Sequence, residues 1–299
     1  MNETFDVLPS VESLRLRFHA RSRMLLPPLI TNPLRGAFGR ALRGMTCLAT
    51  FETNCRTCQH ARGCAYALLF EPPGGNGSGE GVTDRAPPPV VFGPEAAVTG
   101  HAPLLLEAGD GVTIRVSLIG KLAAAHEALV IIALRKAAEG GIGRAPDGGD
   151  GDRVPLYFEG LERSAPLAMS ARHAAELDFV SPVRLKEGGK VAASVTASAL
   201  TSAILRRADI LSRLYGGGAL ELEDTAPELR VRSSSLRIVG VTRYSSRQHQ
   251  RMELPGLMGS VVVEGNLAAM WPAVLLGERV QIGKGTSFGF GRFRVVGVK

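Results

Sequence analysis

The chain predicts an α+β protein of two tandem ferredoxin-like (RRM-like) domains with antiparallel sheets and a C-terminal glycine-rich loop. Three observations predict it. Strand-like and helix-like segments run through one order twice, each copy has a glycine motif after its second helix, and 299 residues suit two domains of ordinary size. The boundary falls near 165–175. This gives an N-terminal domain over 1–168, with a Cys-rich insertion at 47–66, and a C-terminal domain over 169–299, with the glycine loop at 283–291.

In the first copy, Leu14, Leu16 and Phe18 alternate with Arg15, Arg17 and His19, the period of a strand with one apolar and one basic face. Pro27 and Pro28 end it. Thr31 or Asn32 can cap a helix with Pro33 at its first position, continuing to about Met45. Residues 72–89 read as a loop from their glycines and prolines. A strand at 112–120, a helix at 126–140, the turn GIGR at 141–144 and a strand at 153–162 follow. In the second copy, 177–186 reads as a strand, 196–217 as a helix closed by glycine, 234–245 and 256–265 as strands, and 266–278 as a short helix interrupted by Pro272. Arg292 to Val296 then alternate as a final strand.

Charge is segregated along the chain. Seven arginines between residues 11 and 46 face Glu12 alone, and eleven Lys+Arg over 230–299 face Glu253, Glu264 and Glu278, within a net +7 for the whole chain. Two basic blocks at opposite ends of the sequence are explained if they meet around one anionic ligand, and arginine suits phosphate through its planar fork of donors. The glycine loop adds to this, since glycine reaches positive φ and lets main-chain amides approach a phosphate. The competing reading of that loop is a tight turn closing a hairpin. No apolar run is long enough for a membrane span and the N-terminus lacks a signal segment, which predicts a soluble cytoplasmic protein with no membrane partner.

The ending QIGKGTSFGFGRFRV, preceded by RYSSRQHQRMELPGLMGSVVVEG, with LDFVSPVRLK opening the second half and GIGR in the first, resembles the CRISPR-associated repeat-RNA processing endoribonucleases. These are the Cas-six type of the RAMP superfamily. The resemblance implies a metal-independent nuclease that cuts CRISPR repeat RNA once and often retains the crRNA for a complex with other Cas effector subunits. It also implies a histidine on or just after the first helix. Residues 33–46 contain none.

RNA cleavage without a metal uses the 2′-OH beside the scissile phosphate as nucleophile. It needs a proton acceptor, donors for the phosphorane charge and an acid for the leaving 5′ oxygen, with no catalytic cofactor. The candidates are His19 on the basic strand face and Arg23, Arg35 and Arg40 as phosphate-orienting groups, the alternative for each being plain surface or backbone contact. RNA-binding candidates are Gly283, Lys284, Gly285, Ser287, Gly289, Gly291 and Arg292 of the loop, with Arg294 just beyond it. Arg243 and Arg247 of RYSSR, His249 after it, and Arg206 and Arg207 on the long helix complete the set. Phe288 and Phe290 either stack on bases or pack into the sheet. Cys47, Cys55, Cys58 and Cys64 are spaced C-x7-C-x2-C-x5-C. Their alternatives are a structural zinc, buried or free thiols, and disulfides. A second functional class, a non-cleaving RNA-binding subunit, stays open through the missing helix histidine.

Overall fold

The structure is a computed structural model describing residues 5–49, 54–55, 57–73, 86–98, 100, 102–148, 152–165, 173–221, 229–245 and 250–298, without the side chains of 243–245, 250, 251 and 298. In chain order the first half contains β1 (Val11–Ala20), β2 (Met24–Leu26), α1 (Thr31–Thr46), α2 (Ala65–Phe70), β3 (Val90–Pro94), β4 (Leu104–Leu106) and β5 (Gly111–Ile119). It continues through α3 (Gly120–Ala125), α4 (Glu127–Glu139), β6 (Gly143–Arg144), β7 (Arg153–Val154) and β8 (Leu156–Arg163). The second half contains β9 (Ala174–Val183), the small hairpin β10 (Lys186–Glu187) and β11 (Lys190–Val191), α5 (Ala197–Tyr215), β12 (Leu229–Ser234), β13 (Arg237–Ser245), β14 (Gln250–Gly265), α6 (Trp271–Val280) and β15 (Phe293–Val298).

Each half is built on one antiparallel sheet in the same order. The first runs β3-β5-β1-β8 and the second β12-β14-β9-β15, so the second, third, first and fourth strands of each copy lie side by side. This is the ferredoxin-like arrangement, reached twice. It also corrects the expected order, because each copy has an additional strand. In the first half it is Val90–Pro94, buried throughout and therefore without alternation. In the second half it is Leu229–Ser234, while the segment expected at 234–245 runs on as β13 and pairs with the first part of β14. GIGR also departs from expectation. Gly143–Arg144 is a short strand pairing with β2 and β7 in a separate small sheet, rather than part of the expected turn.

The alternation of β1 sets what lies where. Leu14, Leu16 and Phe18 are at most 1% exposed and join a core with Leu34, Phe38 and Leu42 of α1 and Val130 and Leu134 of α4. Helix α1 therefore covers the apolar face, and Arg15, Arg17 and His19 point away from it. Helix α5 starts where Thr196 accepts the Ala199 N–H at 3.1 Å. Its Leu200, Ile204, Leu205, Ala208 and Leu211 pack on the second sheet with Leu177, Phe179, Val261 and Val263.

Hydrogen bonds hold the halves together at several points. Ser117 Oγ donates to the Arg279 carbonyl at 2.6 Å, Gln281 Nε2 to the Phe92 carbonyl at 2.9 Å, and Val98 N–H to the Val180 carbonyl at 2.8 Å. Arg279, at the end of α6, reaches Ser13 and the Val11 carbonyl on β1. Arg15, Arg115 and Arg294 converge on Glu95, which joins β1, β5 and β15 through one carboxylate and its carbonyl.

Candidate nucleic-acid interface

Between α6 and β15 the glycine loop turns with Gly283, Gly285, Gly289 and Gly291 all at positive φ, from 72° to 98°. A one-turn 3-10 helix, Thr286–Phe288, lies between two left-handed glycines. Most of the loop's amides are used inside the protein. Lys284 N–H bonds the Arg184 carbonyl at 2.9 Å, Gly291 N–H the Pro182 carbonyl at 2.9 Å, and Phe288, Gly289 and Phe290 bond carbonyls of the loop itself. The amides of Gly283, Gly285, Thr286 and Ser287 make no such bond among the described residues.

The glycines answer first to packing. A Cβ on Gly289 would lie 2.0 Å from Thr31 Oγ1, and one on Gly291 would lie 1.9 Å from the Ile282 carbonyl oxygen. Thr31 does not cap α1, whose first flanking residue, Ile30, is helical and makes no side-chain cap. Its hydroxyl instead donates to the Phe288 carbonyl at 2.9 Å, tying the first helix to the loop. One turn further along α1, the Arg35 guanidinium lies 4.3 Å over the Phe70 ring and 5.4 Å from the Phe288 ring.

Arg35 and the loop open onto a cleft of about 780 Å³. Its floor is the outward face of α5, where Ala199, Ser202, Ala203, Arg206, Arg207, Ile210, Arg213 and Leu214 recur at helical spacing. Phe70, Glu71 and the run Ala86 to Pro88 form one wall, and Gly283, Lys284, Ser287, Arg184 and Lys186 another. Arg35, Arg184, Lys186, Arg206, Arg207, Arg213 and Lys284 thus share a lining whose sole carboxylate, among the described residues, is Glu71. Slight burial, and then the neighbouring charges of Lys186 and Arg184, hold the Lys284 ammonium below the ordinary lysine range. Lys186 also lies within its hydrogen-bonding reach.

The cleft gathers Arg35, Arg206, Arg207, Gly283, Lys284 and Ser287 from the residues the sequence singles out. Others are elsewhere. His19 stacks near Tyr157, ring centroids 6.0 Å apart, on the sheet face opposite α1, and does not line the cleft. Arg23 pairs with Glu107 at 3.0 Å in solvent, and Arg40 is an exposed residue of α1 outside the lining. Arg292, expected as a loop cation facing a ligand, is 1% exposed and pairs with the buried Glu278 at 3.1 Å. Arg294 is engaged by Glu95. Phe290 is 1% exposed in a small core with Leu29, Val239 and Met258, so it packs rather than stacks on bases. Arg247 and His249 lie outside the described residues, and Arg243 sits opposite Met252 on the β13–β14 pair with its side chain likewise outside them.

The four cysteines are free and half-buried. Among the described residues no three His, Cys, Asp or Glu side chains come together as a metal-ion donor set. No step below uses a zinc ion. No helix among the described residues is long and apolar enough to cross a membrane.

Sequence reasoning overlooks Arg184, Lys186, Phe70 and Arg213. Arg213 is within its reach, since it continues the face of Arg206 two helical turns later. Phe70 and Arg184 arrive only through tertiary packing.

Two ferredoxin-like halves, with the glycine loop of the second docked on the first helix of the first, define a tandem ferredoxin-like protein. The sequence matches two family models, the AF_1859_N N-terminal domain over residues 8–168 and CRISPR-associated endoribonuclease Cas6 over residues 177–293. The C-terminal half thus carries the domain of the CRISPR-associated endoribonuclease Cas6 family, and the N-terminal half the AF_1859_N domain. Its fold is similar to that of a Cas6 product complex, at 15% identity and a TM-score of 0.60, covering 96% of this chain and 100% of that one. It is similar also to a Cas6-related protein from Pyrococcus furiosus, at 11% identity and a TM-score of 0.57, covering 97% of this chain and 100% of that one. A RAMP protein described as binding different RNA substrates matches at 12% identity and a TM-score of 0.51, covering 96% and 100%. No curated protein sequence matches the chain.

Proposed function

We propose that this protein cuts CRISPR repeat RNA once, without a metal ion, in the cleft between α1, α5 and the glycine loop, and keeps the mature crRNA. The observation that carries the proposal is the meeting of Arg35 on the first helix with Lys284 and Ser287 of the loop on one cation-rich cleft. In this reading the ribose 2′-OH beside the scissile phosphate attacks phosphorus. Its proton passes to Lys284, the new P–O bond closes a 2′,3′-cyclic phosphate, and the P–O5′ bond breaks to leave a 5′-OH. A lysine ordinarily holds its proton too tightly for this. Slight burial and the charges of Lys186 and Arg184 loosen it, and Lys186 is placed to donate a proton to the leaving oxygen. Arg35 and the free amides of Gly285 and Ser287 supply donors for the phosphorane charge. Retention of the product and docking with other Cas effector subunits extend this reading.

A second reading, a non-cleaving subunit that holds guide RNA, is favoured by one observation: no histidine among the described residues is in the cleft lining. Incubating the protein with CRISPR repeat RNA in EDTA separates the two. A single cut with a cyclic phosphate end, abolished by 2′-deoxyribose at that position while binding persists, is the expected result. Tight binding with no cut supports the second reading, and cleavage of the deoxy substrate refutes internal attack.

A further inference from the structure

Arg207 poses a physical problem in the free protein. Its side chain is 8% exposed, yet its one hydrogen bond to the described protein runs from Nη2 to the Val280 carbonyl at 3.1 Å, at the end of α6. Nε is buried with no acceptor, and no carboxylate among the described residues pairs with the guanidinium. Burial of that kind draws its pKa down to about 10. A buried cation normally has an anion beside it, because an unpaired charge in an apolar setting carries a large desolvation penalty. The same residue lines the cleft, next to the exposed Arg206, which forms no ion pair among the described residues. Glu278 compensates the other deeply buried arginine, Arg292. Arg207 has no counterpart of that kind.

The surroundings of this charge are apolar. Ile210 and Leu214 continue the floor of the cleft beyond Arg207, and Pro87 and Pro88 stand across from them. A volume of about 780 Å³ lies within the range that encloses one drug-sized molecule, which corresponds to about one or two nucleotides and excludes a duplex. In paired RNA the base faces are stacked within the helix and unavailable to such a wall. In an unpaired strand they are free to rest on it while the phosphate turns to the arginines.

Resting on the proposed RNA-binding role of the cleft, we propose that Arg207, assisted by Arg206, holds a backbone phosphate of an unpaired RNA segment whose base lies between Pro87–Pro88 and Ile210–Leu214. The protein then selects single-stranded character beside the cutting point. Arg207 is the buried anchor and Arg206 the solvent-side one.

The test uses the full-length protein and two fluorescent probes, oligouridine and oligouridine annealed to oligoadenine, with CRISPR repeat RNA as the reference ligand. The single strand should compete with repeat RNA for the wild-type protein and the duplex should not. Arg206→Ala and Arg207→Met should each weaken oligouridine binding about ten- to hundredfold, the loss expected for a charge-assisted hydrogen bond. Each should also make the dependence of log K on log salt shallower by about 0.7, one phosphate on a single strand. Thermal melting separates this from a structural role. Arg207→Met should keep its melting temperature, since removing an unpaired buried charge offsets the lost bond to Val280. A lowered melting temperature with unchanged affinity and salt slope would assign Arg207 to capping α6 and overturn the proposal. Equal competition by single strand and duplex would also overturn it. Should Arg207→Met not fold, the Arg206→Ala affinity and the competition between single strand and duplex decide the question. Wild-type protein that binds neither probe nor repeat RNA refutes the RNA-binding role itself, a result distinct from all of these.

Discussion

Gly289→Ala tests the contact on which the cleft depends. At φ +98° an L-residue is strained, by about 1–2 kcal/mol on general sterics. The added Cβ would lie 2.0 Å from Thr31 Oγ1 and 2.9 Å from Thr31 Cβ, so either the loop or the start of α1 must move. That movement breaks the 2.9 Å bond from Thr31 to the Phe288 carbonyl, worth about 0.5–1.5 kcal/mol. Together these give a loss of about 1.5–3.5 kcal/mol. At about 2–4 °C per kcal/mol for a chain of this order of size, calorimetry should show a fall of about 3–14 °C in Tm. A double-mutant cycle identifies the cause. Thr31→Ala alone should cost about 1 kcal/mol, and Gly289→Ala added to it should cost less than in the wild-type background, since the atom it collides with is gone. The displaced loop would also carry Lys284 and Ser287 away from Arg35, so cleavage should fall further than binding. Additive effects, or a Gly289→Ala protein melting within about 1 °C of wild type, would refute the reasoning that the glycine serves the docking of loop on helix.

Four further results are expected. Arg35→Ala should lower the cleavage rate about 10²–10³-fold, as removal of a transition-state donor does, while His19→Ala leaves it unchanged in the same gel assay. The rate should rise with pH as Lys284 loses its proton, because the base acts when neutral, and fall again once the proton donor for the leaving oxygen is itself deprotonated; Lys284→Arg should remove that rise and most of the activity. Burial works against ionisation of Glu95, but its bonds with Arg15 and the charge of Arg115 prevail and hold the carboxyl below the usual range. The stability it contributes is present above the unfolded-state pKa and lost as pH falls through the lower folded value, so Glu95→Gln should flatten the acid limb of a Tm–pH curve and cost about 1–3 kcal/mol at neutral pH. Finally, all four thiols should react with a disulfide reagent in the native protein at a rate unaffected by prior chelation, and a chelator-dependent burst would restore the zinc reading.

The architecture is legible in the sequence because it rests on local patterns: the alternation of β1 and the glycines that close α5 and precede the last strand. The site is less so, for identifiable reasons. Closeness in sequence puts His19 beside α1, but the alternation that buries Leu14, Leu16 and Phe18 under that helix also turns His19 to the other face. The signal is present and its consequence is geometric. Arg292 differs, since nothing local separates it from Lys284; it is buried because Glu278, fourteen residues earlier on α6, points into the same pocket. Glu95 lies in a segment without periodicity, and its role in neutralising Arg15, Arg115 and Arg294 exists only after three strands meet. Part of the basic character that the sequence assigns to a ligand is therefore used inside the protein.

That division of charge changes what the glycine loop is for. Of its cations, Arg292 faces inward, and the amides of Lys284, Phe288, Gly289, Phe290 and Gly291 are bonded inside the protein, so among the described residues the loop offers a phosphate only part of its backbone. Its positive-φ glycines instead allow it to lie against Thr31 of the other half, which brings Lys284 and Ser287 to a cleft whose remaining cations come mainly from α1 and α5. The binding surface is thus a property of the two halves together. Either half alone would expose the apolar floor of α5 or the ring of Phe70 without the facing wall, and would present its arginines without the geometry that makes them converge. Duplication of the ferredoxin-like plan supplies two ordinary sheets, and the chemistry arises where the last loop of one touches the first helix of the other.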